Sequence, residues 1–171
     1  MYIRILVMTQ SKVRDPRRAS AARLAATQGL YEIEITGASP DTILLDFIEK
    51  RWQAPGAYGN EVDETFELSE PDKNKFSQII NGVQKNLNQI DITLSGALAN
   101  DREIQHLDVL LRTVLRAGIF ELFFLASVPY RVIINEYVEL ARAFYSENEP
   151  ALVNGVLDAV AKVVRQTEVK S

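Results

Sequence analysis

LDVLLRTVLRAGIFELFFLA, Leu107–Ala126, decides the fold. Apolar residues recur at Leu107, Leu110, Leu111, Val114, Leu115, Ile119, Leu122, Phe123 and Leu125, a helical period with an arc wide enough to be covered on several sides. Asp108, Arg112, Arg116 and Glu121 interrupt it. Four charges in such a stretch are too costly in lipid, so it is not a membrane span. It reads as the central helix of an all-helical core.

Working outward, five of the six prolines stand at or near expected helix starts: Pro16, Pro40, Pro71, Pro129 and Pro150. At a first helical position the missing N–H costs nothing and the fixed φ helps. Asp15 and Ser39 are natural N-caps, and Ser69 and Asn148 can cap with proline further in. The spacing predicts helices over residues 16–35, 40–53, 71–90 and 91–98, then the central helix, then 130–145 and 150–165. Gly82, after Asn81, falls inside the third and is read only as a cost of about 1 kcal/mol relative to alanine. Nothing alternates with the period of a strand. The fold class is therefore all-α, with about seven helices in two fused helical bundles, three N-terminal and four C-terminal. The division expected is a flexible basic arm over 1–15, an N-terminal subdomain over 16–98 and a C-terminal subdomain over 99–171.

The chain has 171 residues and no cysteine, which excludes a disulfide framework and thiolate metal sites and suits a cytoplasmic protein. The opening MYIRILVMTQ has too short an apolar run for an export signal, and Met8 is a second candidate start. Net charge is −4, yet Arg4, Lys12, Arg14, Arg17, Arg18 and Arg23 crowd the first 23 residues against one acid, Asp15. An acidic protein with one basic end suits nucleic-acid binding through that end.

Catalytic chemistry finds little support. The single histidine, His106, sits where the central helix begins and reads as a surface residue. Glu61, Asp63, Glu64 and Glu67 lie in a connector and read as solvated. Glu136 and Glu139 share a helix face and are expected to pair with Arg142 or Arg131. Phosphate-loop, dinucleotide and nucleophile-elbow motifs are missing. The expectation is a non-enzyme without cofactor or metal.

The arginine arm argues more sharply. Pro16 as first helical residue puts Arg17 and Arg18 at the positive end of the helix dipole, where each cation is disfavoured by about 0.3–1 kcal/mol. An external phosphate reverses that sign, because free N–H groups, dipole and guanidinium forks all favour one anion. Arg23 lies further along the helix, and Lys12 and Arg14 precede it on a lead that can follow a backbone. Three to five such contacts to single-stranded RNA give a log K against log salt slope of about −2 to −3.5.

Residues 115–165 carry a specific pattern: Leu115-Arg116 with Phe120-Glu121-Leu122; Val128-Pro129; Ile134-Asn135-Glu136; Val138-Glu139-Leu140-Ala141 with Phe144; and Val153-Asn154-Gly155-Val156-Leu157-Asp158. Together with ARLAATQGLYEIEITG, Ala22–Gly37, this closely resembles the NusB family of transcription antitermination factors. The resemblance implies an all-helical RNA-binding adaptor that pairs with NusE, a small-subunit ribosomal protein. It implies binding of boxA-type single-stranded RNA and service in the RNA polymerase antitermination complex on ribosomal RNA operons. By that resemblance the RNA contacts are Arg17, Arg18 and Arg23, with Arg14 and Lys12, and Leu152 at the start of the last helix. Tyr31 matches a NusE-binding position. Asn135, Glu136, Asn154 and Asp158 are expected to cap and tie the bundles. There are departures: Leu152 replaces an aromatic, Ala151 a basic residue, Tyr145 a glycine and Ser127 an aspartate. Leucine cannot stack on a base as a ring does, which weakens RNA affinity unless Tyr145 supplies the aromatic. Two other readings stand beside this one: a helical protein-binding scaffold, and a stand-alone relative of the NusB-like module of RNA cytosine methyltransferases. A homodimer is also compatible, and no membrane association is expected.

Overall fold

The computed structural model describes residues 15–53, 70–99 and 102–169. Within them the chain is helical: α1 (Pro16–Thr36), α2 (Pro40–Leu45), α3 (Lys73–Lys85), α4 (Leu87–Ala97), α5 (Val109–Phe124), α6 (Tyr130–Phe144), α7 (Glu149–Val164) and the short α8 (Gln166–Val169). Among the described residues there are no strands. Among these residues, too, no helix is long and apolar enough to cross a membrane.

As its apolar arc requires, α5 is the hub, packed against α1, α3, α4, α6 and α7. Its buried set runs almost unbroken from Leu111 to Leu122 and includes the charged Arg116 and Glu121. Arg116 forks onto Asp91 at 2.8 Å and reaches Glu34 at 2.8 Å, while Arg112 takes the other oxygen of Glu34 at 2.7 Å. Thus α1 and α4 are both pinned to α5 through charge.

Helix boundaries depart from expectation in three places. α2 does not continue as an α-helix to Gln53. It widens into a π-helix over Asp46–Arg51, closed by the Trp52 N–H donating to the Phe47 carbonyl five residues back. That widening brings Phe47 and Trp52 onto one side, where both meet the Phe76 ring at centroid distances of 5.1 and 4.8 Å. Arg51 lies 4.4 Å above Phe47 and bonds Asp46 and Glu32.

Secondly, the helix expected over 71–90 is broken at Asn86, whose side-chain amide donates to the Gly82 carbonyl at 2.8 Å beside its own backbone N–H. This local competition ends α3, and α4 starts at Leu87, earlier than the sequence suggested. Thirdly, Pro71 is not a first helical residue: Asp72 caps α3 by accepting from the Lys75 N–H at 3.0 Å. Ser69, expected as that cap, lies outside the described residues.

Gly82 has a role that the sequence did not disclose. A Cβ built there would lie 2.1 Å from the Phe120 ring, so only glycine lets α3 approach α5 this closely.

Candidate nucleic-acid interface

α1 begins as its sequence dictates. Asp15 adopts extended backbone, its carboxylate accepts from the Arg17 N–H at 3.0 Å, and Pro16 opens the helix. The first turn contains no acidic residue. Arg17 projects outward, with 72% of its side chain exposed and a loose 3.4 Å contact to Asp15. Arg18 is also accessible but engaged: its Nε donates to the Glu70 carbonyl at 3.0 Å, and its own carbonyl accepts from the Asp72 N–H. The α1 start therefore abuts the α3 start, across a groove of about 710 Å³ lined by Arg18, Lys73, Lys75, Gln78 and Ser127.

Arg23 must be corrected. It is 3% exposed and faces the core rather than a ligand. Its Nε and Nη2 donate to Glu121 at 2.8 and 2.9 Å, and Nη1 donates to Glu136 at 3.0 Å. Burial works against its charge, but the hydrogen bonds and charge of Glu121 outweigh it and hold the guanidinium firmly protonated. Burial likewise opposes the Glu121 carboxylate; Arg23 overcomes this and keeps its pKa below the ordinary value. Lys75 at 3.2 Å and the Tyr137 hydroxyl at 2.8 Å complete the shell around Glu121. Glu136 is corrected too: it accepts from Ser20 at 2.6 Å and from Arg23, not from Arg131 or Arg142, whereas Glu139 does pair with Arg142 at 3.6 Å. Lys12 and Arg14 lie outside the described residues.

On another face, Tyr31 is 40% exposed and lines a cavity of about 810 Å³ with Gln28, Ile35, Arg51, Asp108 and Phe144. Ile35 and Phe144 are exposed as well, which makes this an apolar opening rimmed by charge.

The sequence model described as the NusB family matches residues 20–162. The chain belongs to the NusB family. It is 39% identical over 157 residues to the transcription antitermination protein NusB of Rhizobium etli, covering 92% of this chain and 94% of that one. The protein of the same name from Caulobacter vibrioides is 40% identical over 148 residues, covering 85% and 93%. Among solved structures, T. maritima NusB superposes with a TM-score of 0.69 at 29% identity, covering 92% of this chain and 99% of that one. The NusB chain of a structure of antitermination factors NusB and NusE with dsRNA has a TM-score of 0.65 at 23% identity, covering 84% and 96%, a likeness of fold.

The start of α7 carries Leu152 half-buried and packed against the core, with Ala151 exposed beside it. Tyr145 ends α6, and its hydroxyl donates to Asp108, the N-cap of α5. That bond, with the Leu110 and Leu111 N–H groups, holds the Asp108 carboxyl below its usual range, while burial and Asp108 raise the Tyr145 hydroxyl. Asp158 pairs with Lys162 at 2.7 Å. Sequence reasoning missed the Arg23–Glu121 pair. The available signal was Glu121 itself, a carboxylate on the apolar arc of a central helix, which needs a buried cation.

Proposed function

We propose that the chain is a non-enzymatic, cytoplasmic RNA-binding antitermination factor. In this reading it binds boxA-type single-stranded RNA together with NusE and works in the RNA polymerase antitermination complex on ribosomal RNA operons. The observation that carries it is the start of α1, where Arg17 and Arg18 stand accessible at the positive helix end, paired only loosely with the carboxylates of Asp15 at 3.4 Å and Glu70 at 3.8 Å. In this reading Lys12 and Arg14, which precede α1 in the sequence, supply further cations for phosphate, and Leu152 of α7 an apolar contact. The exposed aromatic and aliphatic groups around Tyr31 suit a protein partner, and NusE is the partner proposed for that face. The names of the relatives, and the solved assembly of a NusB with NusE and RNA, support the same reading.

The test replaces Arg17 and Arg18 together by glutamine and measures RNA binding across a salt series, with and without NusE. Losing two phosphate contacts makes the log K against log salt slope shallower by about 1.4. Unchanged affinity and unchanged slope would overturn the RNA reading in favour of a protein-binding scaffold.

A further inference from the structure

Ser20 lies one turn into α1, just past Arg17 and Arg18. Its hydroxyl stands 2.6 Å from an oxygen of Glu136 and 3.2 Å from the Pro16 carbonyl. One proton cannot satisfy both, and the nearer, charged acceptor takes it. The bond is half-buried and joins α1 to the middle of α6 across 116 residues of sequence. The same Glu136 oxygen accepts from Arg23 at 3.0 Å, and Arg23 is fixed in turn by Glu121. The acceptor is therefore anchored to the core and does not follow the helix start when that start moves.

The helix start needs such a tie. Arg17 and Arg18 are adjacent cations at the positive end of the dipole, and each weakens the turn that carries it. Helix ends open locally at little free-energy cost. On the α3 side the turn is held by the Asp72 N–H, which donates to the Arg18 carbonyl at 3.0 Å. On the α6 side it is held by Ser20. A strand that meets both arginines along the closed turn binds molecules in which that turn is closed, so its apparent affinity scales with the closed fraction. We propose that Ser20 is a positioning residue of the RNA interface. Through Glu136 it keeps the first turn of α1 closed in the free protein, so that Arg17 and Arg18 are set before RNA arrives. This inference rests on the RNA-binding reading and adds to it what presets the two arginines.

The experiment compares the native full chain with Ser20→Ala. The substitution removes the tie but introduces the best helix former, so the urea midpoint of the whole fold is expected to stay near its native value. Affinity of the chain with NusE for boxA-type single-stranded RNA is expected to fall about fivefold, equally at every salt concentration. The salt slope holds because the bound state keeps both phosphate contacts. In the free chain, amide exchange at positions 20 and 21 speeds up, while exchange in α5 and α6 stays native. Ser20→Thr keeps a hydroxyl and returns both affinity and exchange to native values. Native RNA affinity in Ser20→Ala overturns the inference. So does lost affinity with native exchange at positions 20 and 21, which would make the serine a direct RNA contact. If Arg17→Gln with Arg18→Gln still makes the salt slope shallower, only the role of Ser20 falls; if it does not, the RNA reading falls with it.

Discussion

Arg23 and Glu121 form a two-pronged ion pair, Nε to Oε1 at 2.8 Å and Nη2 to Oε2 at 2.9 Å, with both residues buried. It joins the first helix to the hub across 98 residues of sequence. Removing one partner leaves the other charge stranded where water cannot reach it, a loss of about 3–5 kcal/mol in such pairs. Arg23→Met is therefore expected to lower chemical-denaturation stability by roughly that amount. The salt slope of RNA binding by the folded fraction stays at its native value, in contrast to Arg17→Gln. A shallower slope in Arg23→Met would return Arg23 to the RNA surface.

The same pair sets an acid limit. Glu121 has a pKa below its ordinary value in the folded protein, so the folded state binds fewer protons than the unfolded one as pH falls. The stability it contributes is present above the unfolded carboxylate pKa of about 4.3 and is lost as pH drops through the folded value. Urea midpoints measured from pH 6 to pH 3 should fall, and Glu121→Gln with Arg23→Met should flatten that fall. An equally steep fall in the double variant would remove Glu121 as a source.

How far the sequence discloses this molecule depends on the range of the deciding interaction. α5 was legible because its own apolar arc specifies burial, and α1 because Asp15, Pro16 and Gly37 mark its ends locally. The π-turn after α2 was not, since it answers to Phe76, far along the chain. The α3 break depends on one asparagine choosing a backbone carbonyl over solvent. At the interface, the capped and exposed Arg17 follows from local spacing. The fate of Arg23 does not, because its partners Glu121 and Glu136 come together only when α5 and α6 pack on α1.

Gly82 offers a test of the α3–α5 approach. Alanine there gains up to about 1 kcal/mol of helix propensity but drives a methyl group into the Phe120 ring, and overpacking of this kind costs about 1–3 kcal/mol. Net destabilisation is expected for Gly82→Ala, read as a lower Tm, with partial recovery when Phe120→Leu is added. A Gly82→Ala chain as stable as the native one would mean that the helices separate without penalty.

Tyr31 separates partner binding from folding. It stands half out of the chain and carries no buried hydrogen bond that truncation would strand, so Tyr31→Ser should change stability by less than about 0.5 kcal/mol. Aromatic anchors at interfaces often contribute about 2 kcal/mol or more. Affinity for NusE, measured by calorimetry, is expected to fall at least about tenfold while binding of RNA to the chain alone holds. Undiminished NusE affinity would move the partner surface elsewhere.

Arg165 closes the opposite end of the hub. From the C-terminal cap of α7 it donates to the carbonyls of Leu122 at 2.6 Å and Leu125 at 2.9 Å, with longer contacts to Glu121 and Ala126 at 3.3 Å. These carbonyls end α5, where its dipole is negative; those of Glu121 and Leu125 also accept from the Leu125 and Val128 N–H groups, while Arg165 supplies the hydrogen bonds of Leu122 and Ala126. Glu168 binds the same guanidinium and also accepts from the Tyr130 N–H, tying the start of α6 into the joint. Arg165→Ala strands buried carbonyls at about 1–3 kcal/mol each before relaxation, and a total near 3 kcal/mol is expected in urea unfolding. Arg165→Lys restores charge but lacks the planar fork that reaches separate carbonyls, so it should recover less than half of the loss. Full recovery by lysine would show that charge at the helix end, and not the shared hydrogen bonding, holds α7 to α5.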